Sequence, residues 1–243
     1  MWKFILFLLF TIPGRILFSQ HELLASADSD YRSGNVNDAV AKYNSLIVEG
    51  YQSADLYYNL GCIYLKQNNI SRARLNFEKA LRLNPSSSKI KKGIAKAKSA
   101  IEPSIDALPP FILYKWFLAI RNLFSSVVWG WLVLISVFIY SGIGILNLNG
   151  KSILRKNGLY FVSLVPIFFF LFYLSRDAYE HKKESVLILN QGMHVAPDPN
   201  SQVALPLGAG TKVLILDSLS NWYKVNLENN DEGWLPKVAL EGI

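Results

Sequence analysis

The sequence predicts a multi-domain chain with three parts: a helical repeat module, a two-helix transmembrane hairpin and a C-terminal all-β barrel. Three observations predict it. Apolar and small residues recur with helical spacing within residues 20–102, two long stretches carry no charge, and short β-patterned runs fill residues 185–243. Because these patterns do not overlap, they predict separate parts of the chain.

The composition argues against a simple soluble enzyme. Of the 243 residues, 51% are hydrophobic and only 18% are charged, and the mean hydropathy is +0.21. The charge deficit is concentrated in a few stretches, as in proteins that join polar modules to membrane segments. The net charge is +7. Since no groove of Lys and Arg interleaved with aromatics accompanies it, nucleic acid is not an expected partner.

Residues 1–19 are predicted to be a secretory signal peptide. Lys3 provides a positive start, residues 4–12 are almost entirely apolar, and Ser19 is a small residue at a possible cleavage point. A charged residue, Arg15, lies between the apolar run and this cleavage point, which is unusual in a signal peptide. An uncleaved membrane anchor is therefore the alternative interpretation.

Two charge-free stretches, Asn122–Gly150 and Asn157–Ser175, predict transmembrane helices. About 20 helical residues cross the ~30 Å hydrocarbon core of a bilayer. The predicted spans are 125–147 and 158–175, joined by a cytoplasmic loop at 148–157 whose charges are all basic. Two spans return the chain to its starting side. A cleaved signal peptide therefore places both polar modules outside the cytoplasm.

The segment 103–124 is predicted to contain a linker and an interfacial helix. Pro103 and Pro109 interrupt the preceding helical pattern. The following residues, 111–121, mix aromatic side chains with cations such as Lys115. Such a mixture favours a helix that lies at the membrane surface.

Residues 54–87 form a 34-residue unit of two predicted helices. Its first helix has one face of large apolar residues and a glycine, its second has a face of small and aromatic residues, and a proline ends it. The residues of this pattern are Tyr57, Leu60, Gly61, Tyr64, Ala73, Phe77, Ala80 and Pro85. The pattern resembles the tetratricopeptide repeat. The resemblance implies that the small residues let the two helices approach closely and that Phe77 and Ala80 pack against the next repeat.

Shifts of 34 residues predict the neighbours of this unit. Ala39 and Tyr43 correspond to Ala73 and Phe77 in an earlier repeat whose first helix is degenerate. In the other direction, residues 88–101 are predicted to form a polar capping helix. Its solvated lysines are Lys89, Lys91, Lys92, Lys96 and Lys98. Anionic lipid or an acidic partner is the alternative role for them.

The resemblance implies that the repeats bind extended protein segments on a concave groove. The groove positions correspond to Asp55, Tyr58, Cys62 and Leu65, and the Lys/Asn pair that clamps a terminal carboxylate in some family members is absent. Cys62 is interpreted as a groove-lining side chain or, alternatively, as a redox-sensitive thiol.

No catalytic or metal site is predicted. The three histidines, His21, His181 and His194, lie in separate modules without ligand spacing, and no nucleophile with a partnering base is evident. The sequence therefore predicts no metal, no cofactor and no enzymatic activity.

Residues 185–243 are predicted to fold as a small barrel of five short strands separated by Pro-, Gly- and Asn-rich turns. The order of strands and turns resembles bacterial SH3-like domains, and the residues that carry the resemblance are Trp222, Val225, Gly233 and Trp234. The resemblance implies binding to cell-wall peptide or protein. The arginine of the Asn-x-Arg-x-x-Pro segment in many wall-binding members is missing at residues 193–198. The two tryptophans are predicted to fill the barrel, and stacking on a ligand is the alternative.

The order of signal peptide, repeats, interfacial helix, membrane hairpin and SH3-like barrel resembles the BatE-like family, the repeat-containing component of the Bacteroides aerotolerance operon. The resemblance implies an inner-membrane protein with both modules in the periplasm. It also implies assembly with membrane proteins that carry von Willebrand A domains, in a complex linked to aerotolerance or envelope stress.

Three hypotheses about function follow. The first is a non-catalytic scaffold that binds partner proteins. The second is a peptidoglycan-binding sensor or anchor that recruits a wall hydrolase. The third is a redox sensor that uses Cys62.

Overall fold

The computed structural model describes residues 20–103, 105, 111–148 and 156–243 of the chain. The predicted signal peptide and most of the predicted cytoplasmic loop lie outside the described residues. The chain divides into two compact units, Met1–Asp106 with Glu184–Ile243, and Ala107–Lys183. The first unit contains the repeats and the sheet, and the second contains the apolar helices.

The described part of the first unit begins with five helices. They are α1 over residues 20–33, α2 Val36–Val48, α3 Ala54–Lys66, α4 Ile70–Leu83 and α5 Ser88–Lys98. Polar side chains cap two of them. The Ser53 hydroxyl accepts a hydrogen bond from the Leu56 N–H at 3.1 Å before α3, and the Asn69 side chain accepts one from the Arg72 N–H at 3.2 Å before α4. These caps satisfy amides that lack an intrahelical partner, so local sequence fixes where both helices begin.

Close packing of α3 on α4 explains the glycine of the repeat pattern. A Cβ atom on Gly61 would lie 2.6 Å from the Phe77 ring. The side chains of Ala73, Phe77 and Ala80 are fully buried. The other pattern residues that contribute to the packing are Tyr57, Leu60, Tyr64 and Pro85, which are buried or half-buried. The prediction of a helical repeat region is confirmed.

In the degenerate repeat formed by α1 and α2, a hydrogen-bonded network takes the place of the apolar repeat residues that α1 lacks. Ala39 and Tyr43 are fully buried, as their repeat positions require. The Tyr43 hydroxyl donates a hydrogen bond to Asp28 at 2.5 Å and accepts one from the Asn59 amide at 3.1 Å. Burial, with the Asp28 carboxylate beside it, raises the pKa of Tyr43 above its ordinary value. α1 is therefore held to α2 and α3 partly by hydrogen bonds, which compensates for its weak apolar pattern.

The C-terminal residues form a seven-stranded antiparallel sheet with the order β3-β2-β6-β5-β4-β1-β7. The strands are β1 Glu184–Leu187, β2 Gln191–His194, β3 Val203–Leu207, β4 Lys212–Leu219, β5 Trp222–Asn226, β6 Glu232–Pro236 and β7 Leu240–Gly242. A 3-10 turn, Lys237–Ala239, precedes β7. The first and last strands pair with each other, with Val186 opposite Glu241.

The structure therefore has two more strands than the five predicted. The additional strands are β2, which pairs with β3 in a hairpin, and β7, which pairs with β1. The all-β fold class is confirmed. The core of the sheet is made by large buried side chains such as Leu187, Met193, Val225 and Leu235.

The second unit contains α6 Ile112–Arg121, α7 Ser126–Leu148 and α8 Lys156–Glu180. α7 and α8 are long and apolar enough to cross a membrane, over Ser126–Asn147 and Gly158–Glu180, and most of their side chains face outward. Trp129 of α7 stacks on Phe172 of α8 with the ring centres 5.2 Å apart. α8 continues five residues past the predicted span end at 175.

Candidate functional site

The predicted groove residues lie on one face of α3. Asp55, Tyr58, Cys62 and Leu65 are spaced by three or four residues, which places them on the same side of a helix. Asp55 is exposed, and the other three are half-buried. Tyr58, Cys62 and Leu65 pack against a small buried cluster that includes Phe77.

Lysines connect this face to the neighbouring helices. The ammonium group of Lys89, on α5, lies 2.7 Å from an Asp55 carboxylate oxygen and 5.0 Å from the centre of the Tyr58 ring. On the other side, Lys66 of α3 lies 5.1 Å from the centre of the Tyr31 ring of α1. Cation–π contacts of this kind are weakly stabilising when exposed. The face is thus a mixed surface of tyrosine rings and lysine ammonium groups that crosses three helices.

Burial raises the pKa of the Cys62 thiol above its ordinary value, although nearby lysines act in the opposite direction. The thiolate is the reactive form of cysteine, and raising the pKa lowers the thiolate fraction at neutral pH. This property is typical of a packed side chain and unlike that of a redox-active cysteine.

The four residues that carry the SH3-like resemblance have different environments. Val225 is fully buried in the sheet core. Gly233 is buried where a Cβ would lie 2.5 Å from Met193, which requires glycine. Trp222 and Trp234 are half-buried, and the Trp222 ring makes an edge contact with His194 at 5.2 Å between ring centres. Both tryptophans therefore pack in part against the sheet and keep part of their surface open.

A chain of buried and half-buried ion pairs joins the repeats to the sheet, and sequence reasoning missed it. It alternates in sign and runs in the order Lys98, Glu228, Arg74, Glu78, Lys212, Glu184 and Arg82. We call it the ion-pair chain. The helices contribute Lys98, Arg74, Glu78 and Arg82. The strands contribute Lys212 and Glu184, and the turn after β5 contributes Glu228.

The centre of the ion-pair chain is almost inaccessible to water. Arg74 and Glu78 are 3% and 5% exposed. The Arg74 Nε donates to Glu78 at 2.8 Å, its Nη2 donates to Glu228 at 3.2 Å, and Lys212 donates to the second Glu78 oxygen at 3.1 Å. Each of these central charges therefore has at least two partners of opposite sign, the arrangement that buried ions need.

Burial alone would raise the pKa of Glu78, but Lys212 and Arg74 outweigh it and hold the pKa below its ordinary value. The carboxylate is thus charged at neutral pH. At the end of the ion-pair chain, Arg82 lies 3.6 Å from Glu184 and donates a hydrogen bond to the Ile243 carbonyl at 2.7 Å. Ile243 is therefore held against α4.

One sequence feature weakly indicated the contact between the repeats and the sheet. Arg74 and Glu78 are four residues apart on α4, a spacing that usually indicates a solvated surface pair. Their burial depends on partners in the sheet more than a hundred residues away, which the spacing does not reveal.

A second polar cluster lies where α7 begins and α8 ends. Arg176 is 1% exposed, and its Nε donates to Glu180 at 2.7 Å. Glu180 also accepts hydrogen bonds from the backbone and hydroxyl of Ser126. The Arg121 guanidinium lies 4.3 Å from the centre of the Tyr179 ring. These contacts tie α6, α7 and α8 together at one end of the hairpin.

Within the residues that the structure describes, no group of three or more His, Cys, Asp or Glu side chains is placed to hold a metal ion. The ion-pair chain joins the repeats to the sheet, whereas the Arg176–Glu180 pair lies within the second unit. On the groove face of α3 and the adjoining side of α5, the side chains of Asp55, Lys89, Lys92 and Lys96 are exposed.

Comparison with known proteins identifies one module directly. Residues 54–87 match the tetratricopeptide repeat family. No curated protein matches the chain. Among solved structures, the chain is similar to the C-terminal SH3 domain of myosin IB from Entamoeba histolytica, bound to an EhFP10(GEF) peptide. The identity is 22%, the match covers 26% of this chain and 93% of that one, and the TM-score is 0.20.

The chain therefore combines a tetratricopeptide repeat with a seven-stranded antiparallel sheet and two apolar helices that are long enough to span a membrane. Tetratricopeptide repeats typically bind other proteins and are typically not catalytic.

Proposed function

We propose that this protein is a non-catalytic membrane scaffold whose repeats and SH3-like module bind partner proteins on the same side of the membrane. The observation that carries the proposal is the ion-pair chain. It joins helices that precede the apolar hairpin to a sheet that follows it. If α7 and α8 cross a bilayer, modules in direct contact must lie on one side of it.

The buried ion pairs also support a rigid arrangement of repeats and sheet. Separating them would expose or isolate the charges of Arg74 and Glu78, which is costly when a buried ion loses its partner. Tethering at a membrane raises the effective concentration of both modules for partners in the same membrane. A rigid, tethered pair of binding modules is well suited to holding an assembly together.

The order of modules favours a BatE-like role. On this proposal the protein lies in a bacterial inner membrane with both modules in the periplasm. It assembles there with membrane proteins that carry von Willebrand A domains, in a complex linked to aerotolerance or envelope stress. The partner segment binds on the face formed by Asp55, Tyr58, Cys62 and Leu65.

The test is gentle detergent extraction of the tagged protein from its native membrane, followed by mass spectrometry of the proteins that remain bound. The variant Tyr58→Ala/Leu65→Ala removes apolar surface from the groove face. Val48→Ala/Leu83→Ala is the matched control, because both of those side chains are exposed on the helices. Loss of membrane partners from the groove variant alone supports the scaffold. Equal partner sets in all three proteins would contradict it.

The second candidate is a peptidoglycan-binding sensor or anchor that recruits a wall hydrolase. It is favoured by the half-exposed surfaces of Trp222 and Trp234, since exposed aromatic rings can stack on ligands. The full-length protein in detergent should then sediment with purified peptidoglycan, and Trp222→Ala should weaken that binding. Protein that stays in solution would exclude this candidate.

A further inference from the structure

The lysines of α5 are divided between two opposite faces. Lys89, Lys92 and Lys96 are spaced by three and four residues and so share one side of the helix. Lys91 and Lys98 lie on the opposite side, where Lys98 pairs with Glu228 of the ion-pair chain. The buried face of α5 lies between them. The first three lysines therefore form a row of their own.

This row continues the groove face of α3. A shift of 34 residues places Lys89, Lys92 and Lys96 at the repeat positions of Asp55, Tyr58 and Cys62. The first of these equivalent pairs is in direct contact, with the Lys89 ammonium group 2.7 Å from an Asp55 carboxylate oxygen.

Helix spacing adds another lysine to the face. Lys66 follows Cys62 by four residues on α3, so the two side chains share one side of that helix. Burial raises the pKa of the Cys62 thiol, and the charges of Lys66, Lys89 and Lys96 act against that rise.

The face has an excess of positive charge. Lys66, Lys92 and Lys96 are exposed, and none of them makes an ion pair with a described residue. The carboxylate of Asp55 already pairs with Lys89. Asp28, on the neighbouring α1, accepts hydrogen bonds from Tyr43 and Asn59. The nearby acids are thus already engaged by other side chains, and three cations remain in water.

We infer that this face binds an acidic segment of a partner protein, whose carboxylates pair with Lys66, Lys92 and Lys96 and whose apolar side chains contact Tyr58 and Leu65. The inference rests on the proposed function, because it names the chemistry of the segment that the scaffold holds. Charge complementarity supplies specificity and fast association, and tyrosine rings between the cations supply apolar contact.

A discrete protein segment fits this face better than a flat anionic membrane surface. The Asp55 carboxylate lies among the lysines and would repel a uniform sheet of negative charge. A peptide can place its carboxylates beside the free lysines and its apolar groups over the tyrosine ring. Binding of anionic lipid is therefore an outcome that the experiment must distinguish.

The experiment uses the full-length protein in nanodiscs of zwitterionic lipid. The probe is a fluorescein-labelled peptide of Glu, Asp, Leu and Gly residues, and its control has Lys in place of each acid. Fluorescence anisotropy is measured with wild type, with Lys92→Glu/Lys96→Glu and with Lys91→Glu/Lys237→Glu, which makes the same charge change on the opposite side of α5 and in the 3-10 turn before β7.

The acidic peptide should bind wild type and not the basic control, and the affinity should fall by about tenfold in Lys92→Glu/Lys96→Glu and little in the other variant. Salt should weaken binding, because the cations are exposed. Equal affinity for both peptides, or equal loss in both variants, would overturn the inference. Phosphatidylglycerol vesicles that displace the peptide through the same two lysines would assign the face to lipid and overturn it as well.

The native extraction experiment separates this inference from the proposed function. Partners that are lost with Tyr58→Ala/Leu65→Ala but retained with Lys92→Glu/Lys96→Glu would refute acidic recognition and leave the scaffold intact. Partners retained in both variants would refute the scaffold itself.

Discussion

Arg74 of α4 lies 3.2 Å from Glu228, a residue 154 positions further along the chain. The two residues are separated in sequence by the whole apolar hairpin, yet they belong to one compact unit. Their pairing makes the stability of the repeats depend on the sheet, and this dependence can be measured.

Glu78→Gln should loosen the contact between α4 and β4. The substitution removes the negative charge that holds Arg74 and Lys212, and a buried cation that loses its partner costs several kcal/mol. Because both cations keep a second carboxylate, we expect a loss of roughly 2–3 kcal/mol. Hydrogen exchange of the α4 and β4 amides, measured on the full chain in detergent, should accelerate accordingly.

The matched control for this variant is Glu232→Gln. Glu232 pairs with Lys224 at 2.7 Å, but both side chains are well exposed. Exposed pairs contribute about 0–1 kcal/mol, so exchange should barely change. An equal acceleration in both variants would show that burial of the ion-pair chain has no energetic consequence.

Acid should weaken the same contact. The pKa of Glu78 is below its ordinary value in the folded protein, so its contribution is complete above the unfolded pKa of about 4.3 and is lost as the pH falls through the lower folded pKa. Protection of the α4 and β4 amides, corrected for intrinsic exchange, should hold from pH 7 to about 5 and fall below about 4. Glu78→Gln should flatten this dependence, and an unchanged profile in that variant would assign the acid sensitivity to other carboxylates.

Cys62 should react slowly with iodoacetamide. Its raised pKa and partial burial lower the supply of accessible thiolate at pH 7.5. Mass spectrometry should show a rate well below that of free cysteine, and urea should raise it to the free value. A rate above that of free cysteine would instead support the redox-sensor hypothesis.

Gly61→Ala should destabilise the α3–α4 pair. The added Cβ would lie 2.6 Å from the Phe77 ring, and overpacking of this kind costs about 1–3 kcal/mol. The melting temperature followed by circular dichroism at helical wavelengths should fall. Gly142→Ala is the control, since nothing lies within 4 Å of its Cβ position. A similar fall in both would point to the loss of glycine and not to the contact with Phe77.

The helical repeat was predictable because its signal is local and spaced. Gly61 and Phe77 are fixed by contacts within one 34-residue unit, and the same spacing located Ala39 and Tyr43 in the degenerate repeat. Asp28 was not predicted as a partner of Tyr43, because a lone acid in a helical pattern normally indicates a solvated position.

The strands were predictable where apolar residues alternate. β2 was missed because Gln191 and Gly192 break the apolar run, and β7 was missed because it is only three residues long. β7 is stabilised by pairing with the distant β1, and β2 pairs with β3 in a hairpin and with the more distant β6 at His194. The pairings with β1 and β6 are not visible in a local pattern. The binding role of Asp55, Tyr58, Cys62 and Leu65 remains a prediction.

The pairing of Glu228 with Arg74 also has a consequence for biogenesis. Residues 184–243 are synthesised after α4, so α4 carries a charged row that has no counterpart until the sheet folds. During that interval Arg74 and Glu78 are hydrated, and their burial has to wait for the sheet. The final position of α4 is therefore set only after the apolar hairpin has been synthesised.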